Sequence, residues 1–265
     1  MIEIKGVDKR TPVKTWQGEG PYAKQRIVLL RFMTCNLKCH WNTADGKMAW
    51  CDTKWTWDGS EAGLDWDVDV LAAVIDEISR RKLKPASWEP QDDRKSVRKK
   101  ADIVMITGGE PLLRQNDAEF QALVARLHEA GLLVHVETNG TLPPVRWARE
   151  NIDFFAVSPK FQLYPKAYDE RKVAVWATLP ATQMAWKFVV GRPYDLEVLR
   201  QWLFEVKVPF DADVWLMPLT SDDKTMNFSQ NVLESGTVPA IQMLGYKHVR
   251  ISPRLQIGQG RDLFP

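Results

Sequence analysis

Six short apolar runs recur along the chain: Ile27–Phe32, Asp102–Thr107, Leu132–Val136, Asp153–Val157, Ala185–Val190 and Asp213–Met217. Runs of that length bounded by turn residues read as buried strands. Between them lie stretches of helical period, at about Val68–Lys82 (capped by Asp67), Asp117–Ala130 (ended by Gly131), Pro144–Asn151 and Tyr194–Val206. Such alternation implies an α/β fold with a mostly parallel sheet of about six strands. A last short strand is expected at His248–Ser252, after a helical region over 225–245 broken near Gly236 and Pro239. The polar motifs punctuated by glycine and proline fall at the carboxyl ends of the runs, the edge where parallel α/β folds bind ligands.

All three cysteines, Cys35, Cys39 and Cys51, lie within 17 positions just after the first run. A cluster so tight, with no thiol elsewhere, reads as a metal or iron–sulfur site rather than a disulfide framework. Four thiolates close a 4Fe–4S cluster, and a structural zinc site also takes four protein ligands. Three thiolates leave one iron open, an arrangement suited to S-adenosylmethionine, whose amino and carboxylate groups can chelate that iron. Zinc is the alternative, although His40, directly following Cys39, is a poor fourth ligand. Trp41, Trp50, Trp55, Trp57 and Trp66 crowd the same region; they read as packing residues, with one or two able to stack on a flat bicyclic ligand.

A 265-residue chain suits one large α/β domain, here 1–265, with insertions at 42–50 and 84–100. A net charge of +2 gives no sign of a nucleic-acid or membrane surface. No apolar run nears the ~20 residues that span a bilayer, and the amino terminus lacks signal-peptide character. Clustered free thiols imply a reducing, cytoplasmic setting. There is no Gly-x-Gly-x-x-Gly and no P-loop.

Taken alone, Gly108-Gly109-Glu110-Pro111 is a tight turn, or a place where missing side chains let a ligand reach strand-end backbone. Taken in order, Trp16-Gln-Gly-Glu-Gly20, Cys51-Asp-Thr53, Thr107-Gly-Gly-Glu-Pro111, Glu137-Thr-Asn-Gly140, Ser158-Pro-Lys160 and Val249-Arg-Ile-Ser-Pro-Arg254 form a specific set. The chain resembles the radical S-adenosylmethionine superfamily and, within it, the 7-carboxy-7-deazaguanine synthases. The resemblance implies a partial (β/α) barrel, usually a homodimer, in which a reductively generated 5′-deoxyadenosyl radical takes a hydrogen atom from 6-carboxy-5,6,7,8-tetrahydropterin. Ring contraction with loss of ammonia then gives 7-carboxy-7-deazaguanine, as in queuosine-type biosynthesis. Magnesium assists, and an electron donor such as flavodoxin or ferredoxin is implied.

By motif, the resemblance assigns Cys35, Cys39 and Cys51 to the 4Fe–4S cluster and Thr53 to magnesium. Trp16, Gln17, Gly18, Glu19, Arg31 and Thr107 would hold the pterin, with Arg31 on its carboxylate and a terminal proline, Pro265, closing on it. Gly109, Glu110, Glu137, Asn139, Ser158, Pro159, Lys160, Leu216, Met217, Pro218 and Leu219 would line the adenosylmethionine site. An ion pair within the protein is the other reading of Arg31, and strand-end hydrogen bonding that of Glu137 and Asn139. Two departures stand out. The spacing Cys-x3-Cys-x11-Cys points to an insertion that carries Cys51 away in sequence but not in space, and Gln256 stands where the family often has histidine. A glycyl-radical activating enzyme and a zinc-stapled binding module are the alternative functions.

Overall fold

The structure, a computed structural model, describes residues 2–42, 48–83, 101–191, 193–219, 233 and 237–255. The stretch 84–100, Gln256, Pro265 and most of 225–236 lie outside the described residues.

In chain order the strands are β1 (Glu3–Val7), β2 (Val13–Trp16), β3 (Arg26–Phe32), β4 (His40–Asn42), β5 (Met48–Trp50), β6 (Leu64–Asp67), β7 (Ile103–Gly108), β8 (Leu133–Thr138), β9 (Phe154–Val157), β10 (Met184–Val190), β11 (Asp213–Pro218) and β12 (His248–Ile251). The helices are α1 (Val68–Ser79), α2 (Ala118–Glu129), α3 (Arg146–Asn151), α4 (Glu170–Ala177), α5 (Pro193–Glu205) and α6 (Val238–Met243). One ten-stranded sheet runs in the order β12-β11-β10-β9-β8-β7-β3-β1-β6, with β2 paired to β3. From β3 to β12 every pairing is parallel. Across that part the strands lie in sequence order, with β4, β5 and β6 placed elsewhere between β3 and β7, as expected of a (β/α) barrel built from successive strand–helix units.

All the expected apolar runs are strands of this parallel part. What the pattern did not reveal are β1, β2 and β6, which extend the sheet antiparallel beyond β3, and α4. Glu-Ile-Lys-Gly-Val, Val-Lys-Thr-Trp and Leu-Asp-Trp-Asp are too short and too polar to announce themselves, since each mixes charged with apolar residues over only four or five positions. The eight residues of α4, with two β-branched valines, carry little more than two turns of pattern.

On the outer face, Leu71 and Ile75 of α1 and Phe120, Leu123, Val124 and Leu127 of α2 are wholly buried against the sheet. They recur at intervals of three and four, as one face of a helix requires. The Asp67 carboxylate caps α1 by accepting from Val70 N at 3.0 Å. The strand period of two sends alternate residues to the other face. Val214 and Leu216 of β11 join the helix-side core, whereas Met217 packs with Val189 and Leu219 on the inner side. That inner face also carries Arg31, in register with Thr107, and Lys187, in register with Trp215. Toward the amino ends of the strands Tyr22 fills the inner side, packing against the Ile27–Ile103–Met105 and Phe154–Ala156–Ala185 clusters. Its ring centre lies 4.4 Å from that of His135.

Candidate active site

The inner face opens at the carboxyl ends of the parallel strands into a cavity of about 660 Å³. Cys35, Cys39 and Cys51 stand together on its wall. Cys35 and Cys39 come from the loop leaving β3, and the β4–β5 hairpin returns Cys51, whose N–H donates to Cys39 O at 3.1 Å. Cys51 thus lies beside Cys39 despite the long spacing between them.

Local structure fixes this loop from several sides. Gly109 N donates to Phe32 O and Glu110 N to Thr34 O, each at 2.9 Å. A Cβ on Gly109 would lie 1.7 Å from Thr34 O, and one on Gly108, whose φ is +112°, 2.4 Å from Phe32 O. The paired glycines are thus required by the backbone of the cysteine loop itself. Tyr164 OH donates to Lys38 O at 2.8 Å between the first two cysteines. Asn139 Nδ2 donates to Asn36 Oδ1 at 2.8 Å and reaches Cys35 Sγ at 3.9 Å, while Asn139 Oδ1 accepts from Thr141. Burial raises the Cys35 thiol above its ordinary range and pushes Cys39 up to about 12, because an apolar wall disfavours the thiolate. His40 is exposed, its ring 5.4 Å from that of Trp50.

Opposite the thiols is a polar floor. Lys187 Nζ donates to Glu19 Oε2 at 2.7 Å and to Glu137 Oε1 at 3.3 Å. Glu137 also accepts from Thr107 Oγ1 at 3.0 Å and Gln17 Nε2 at 3.3 Å. Arg254 pairs with Glu19 at 3.2 Å and with Asp52 at 3.5 Å. Burial works against the Lys187 charge, but Glu137 and Glu19 more than offset it, and its pKa is raised. Arg31 lines the cavity, its buried Nε without a hydrogen-bond partner, and no carboxylate among the described residues pairs with it. That favours a cation awaiting a ligand over an internal ion pair.

Of the residues singled out from the sequence, Trp16, Gln17, Gly18, Glu19, Arg31, Thr53, Thr107, Gly109, Glu137, Asn139, Ser158, Lys160, Met217 and Leu219 line the cavity with the three cysteines. Glu110, Pro159, Leu216 and Pro218 do not. Glu110 is buried in the protein, accepting from Leu112 N, Thr138 Oγ1 and Asn139 N at 3.0, 2.8 and 2.7 Å. Leu216 points into the helix-side core because it alternates with Met217.

Sequence reasoning passed over Lys187, Arg10 and the site role of Arg254. The one signal for Lys187 was a lone charge inside the otherwise apolar run Met184–Val190, since a buried charge needs a partner. Four of the five tryptophans near the cysteines, Trp41, Trp50, Trp55 and Trp57, line the cavity; Trp66 packs against the helix-side core.

Among the described residues no group of three His, Cys, Asp or Glu side chains is arranged to hold a single metal ion. Three thiols that share one wall, with no fourth beside them, suit a cubane bound at three corners.

No family model matches the chain. It is 30% identical over 251 residues to the 7-carboxy-7-deazaguanine synthase of Hyperthermus butylicus, covering 91% of this chain and 87% of that protein. The synthase of the same name from Halobacterium salinarum is 29% identical over 93% of this chain and 87% of its own length. Among solved structures, that of QueE from Escherichia coli superposes with a TM-score of 0.56 at 21% identity, covering 95% of this chain and 92% of that one; it shows the shared partial-barrel fold. With that identity and coverage, and three thiols facing a polar floor across the sheet's ligand-bearing edge, the chain belongs to the 7-carboxy-7-deazaguanine synthase family of radical S-adenosylmethionine enzymes.

Proposed function

We propose that this cavity converts 6-carboxy-5,6,7,8-tetrahydropterin to 7-carboxy-7-deazaguanine and ammonia. The observation that carries the reading is the pairing, within one cavity, of three thiols with a floor of alternating acceptors and donors. Cys35, Cys39 and Cys51 hold the 4Fe–4S cluster, which with S-adenosylmethionine supplies the carbon-centred radical that starts the reaction. Ser158 and Lys160, tied by a 2.9 Å bond from Nζ to Oγ, line the adenosylmethionine side with Met217 and Leu219. Glu19 and Gln17 bind and orient the pterin together with Glu137, which the motifs assigned to the adenosylmethionine side but which is bonded here to Gln17 and Thr107. The Arg31 guanidinium pairs with the pterin carboxylate in the bidentate manner an ammonium cannot match. Thr53, whose Oγ1 lies 3.4 Å from Cys51 Sγ, offers the one protein hydroxyl of a magnesium shell completed by water and substrate oxygens. The enzyme works in the cytoplasm as a homodimer, with an electron from a carrier such as flavodoxin or ferredoxin. No helix among the described residues is long and apolar enough to cross a membrane.

The test is anaerobic reconstitution with iron and sulfide, followed by reductant, S-adenosylmethionine and the tetrahydropterin. Iron uptake, broad visible absorbance, and formation of deoxyadenosine and the deazapurine are expected. Deoxyadenosine without deazapurine would point to another substrate, and failure to take up iron would reject the cluster.

A further inference from the structure

Lys187 is a cation of the cavity floor that the motifs did not single out. Lys187 projects from the middle of an otherwise apolar strand, and its side chain is only 7% exposed. It reaches Glu137 on β8, two strands away, across the small Ala156 and Ala185, whose positions on β9 and β10 pair in register. A buried lysine that met one carboxylate would be explained as a structural ion pair. This one meets two, from elements 50 and 168 residues away, at the rim where ligands bind.

Donor accounting carries the matter further. An ammonium has three N–H donors. The described residues take two of them, Glu19 at 2.7 Å and Glu137 at 3.3 Å, and Lys187 lines the cavity. The floor therefore presents, side by side, carboxylate oxygens that accept and one ammonium hydrogen that donates. The pyrimidine edge of a 2-amino-4-oxopteridine presents the complement in the same order: an amino donor, a ring N–H donor and a carbonyl acceptor. A carboxylate that takes the first two leaves the carbonyl facing its neighbour, and the neighbour of Glu19 is Lys187.

We infer that Lys187 is a substrate-binding, specificity-determining residue whose third N–H donates to the ring carbonyl of the pterin while Glu19 accepts from the adjoining N–H groups. The inference deepens the proposed function and rests on it. It explains why a lysine stands where a neutral donor would have satisfied one carboxylate: a cation both pairs with the two half-buried carboxylates and donates to a carbonyl beside them.

The test uses the reconstituted enzyme with S-adenosylmethionine and two non-reacting ligands, 6-carboxypterin and its 4-thioxo counterpart. The pair keeps both N–H donors and differs in acceptor strength at the one atom assigned to Lys187. Dissociation constants are read from quenching of tryptophan fluorescence. The wild type is expected to favour the oxo ligand about tenfold or more, as befits a hydrogen bond from a charged donor. K187M is expected to bring the two ligands to near equality, whereas K187R, which keeps charge and donors, retains a preference. Because methionine leaves Glu137 without a cationic partner among the described residues, whereas Glu19 keeps Arg254, K187M/E137Q serves where the single variant does not fold, with the same loss of preference expected. A wild type that binds both ligands alike, or a K187M or double variant that keeps the wild-type preference, overturns the assignment of Lys187 while leaving the function intact. A wild type that binds neither ligand yet takes up iron overturns the function and the inference with it.

Discussion

At the scale of single residues, the tightest constraint is the contact of Gly109 with the Thr34 carbonyl. Both partners are backbone, so neither can swing aside when a methyl group is added. Gly109→Ala should cost about 1–3 kcal/mol in the range of overpacked sites, read by denaturant unfolding, and should lower the iron bound per chain. Thr53→Ala, by contrast, removes the hydroxyl proposed for magnesium, with its 3.3 Å bond to Gly108 O, from a half-buried position. It should leave iron content unchanged and raise the magnesium needed for half-maximal product formation about tenfold or more. The glycines were visible in the sequence, but the reason for them was not. From the sequence they read as a tight turn or as room for a ligand, and the structure shows the backbone of Phe32 and Thr34 packed against them. Lys187 was not legible for a related reason. Its partners lie 50 and 168 positions away, and no local pattern pairs a lysine with glutamates at such distances.

Among elements, the β4–β5 hairpin joins the cysteine loop to the far wall of the cavity. Its residues 43–47 lie outside the described structure, but the paired strands return Cys51 to Cys39 and place Trp41 against Val189, Met217 and Leu219. The indole thus reaches from the cysteine side of the cavity to the ends of β10 and β11. Trp41→Ala should open that wall, and the visible absorbance of the reconstituted enzyme should bleach several-fold faster in air than in the wild type. Unfolding midpoints of the metal-free proteins should differ little, because the side chain is only half-buried. The long spacing between Cys39 and Cys51 was plain in the sequence. Where Trp41 would land was not, because that contact joins the third strand's loop to strands about 150 residues later. The parallel strands were legible for the opposite reason: each is an apolar run buried on both faces. The antiparallel extension carried no such mark.

For the whole molecule, the buried His135 sets an acid limit. Burial lowers its pKa to about 4, and its Nδ1 has no hydrogen-bond partner. A histidine depressed in the folded state contributes stability that is fully present above its unfolded pKa, near 6.5, and is lost as pH falls toward 4. Between pH 7.5 and 5 the unfolded chain takes up the proton and the folded one does not, so this residue should remove about 2 kcal/mol. His135→Phe, packed between Tyr22 and Phe154, should be about that much less sensitive over the same interval, as urea titrations at the two pH values would show.

The turn at Gly18–Gly20 is strapped by residues near the other end of the chain: Gly20 N donates to Ser252 Oγ at 2.8 Å and Leu255 N to Gly18 O at 3.2 Å. During synthesis the three thiols and the strand behind them leave the ribosome well over a hundred residues before that strap exists. The three thiols can therefore come together long before the turn that carries Glu19 is held in place.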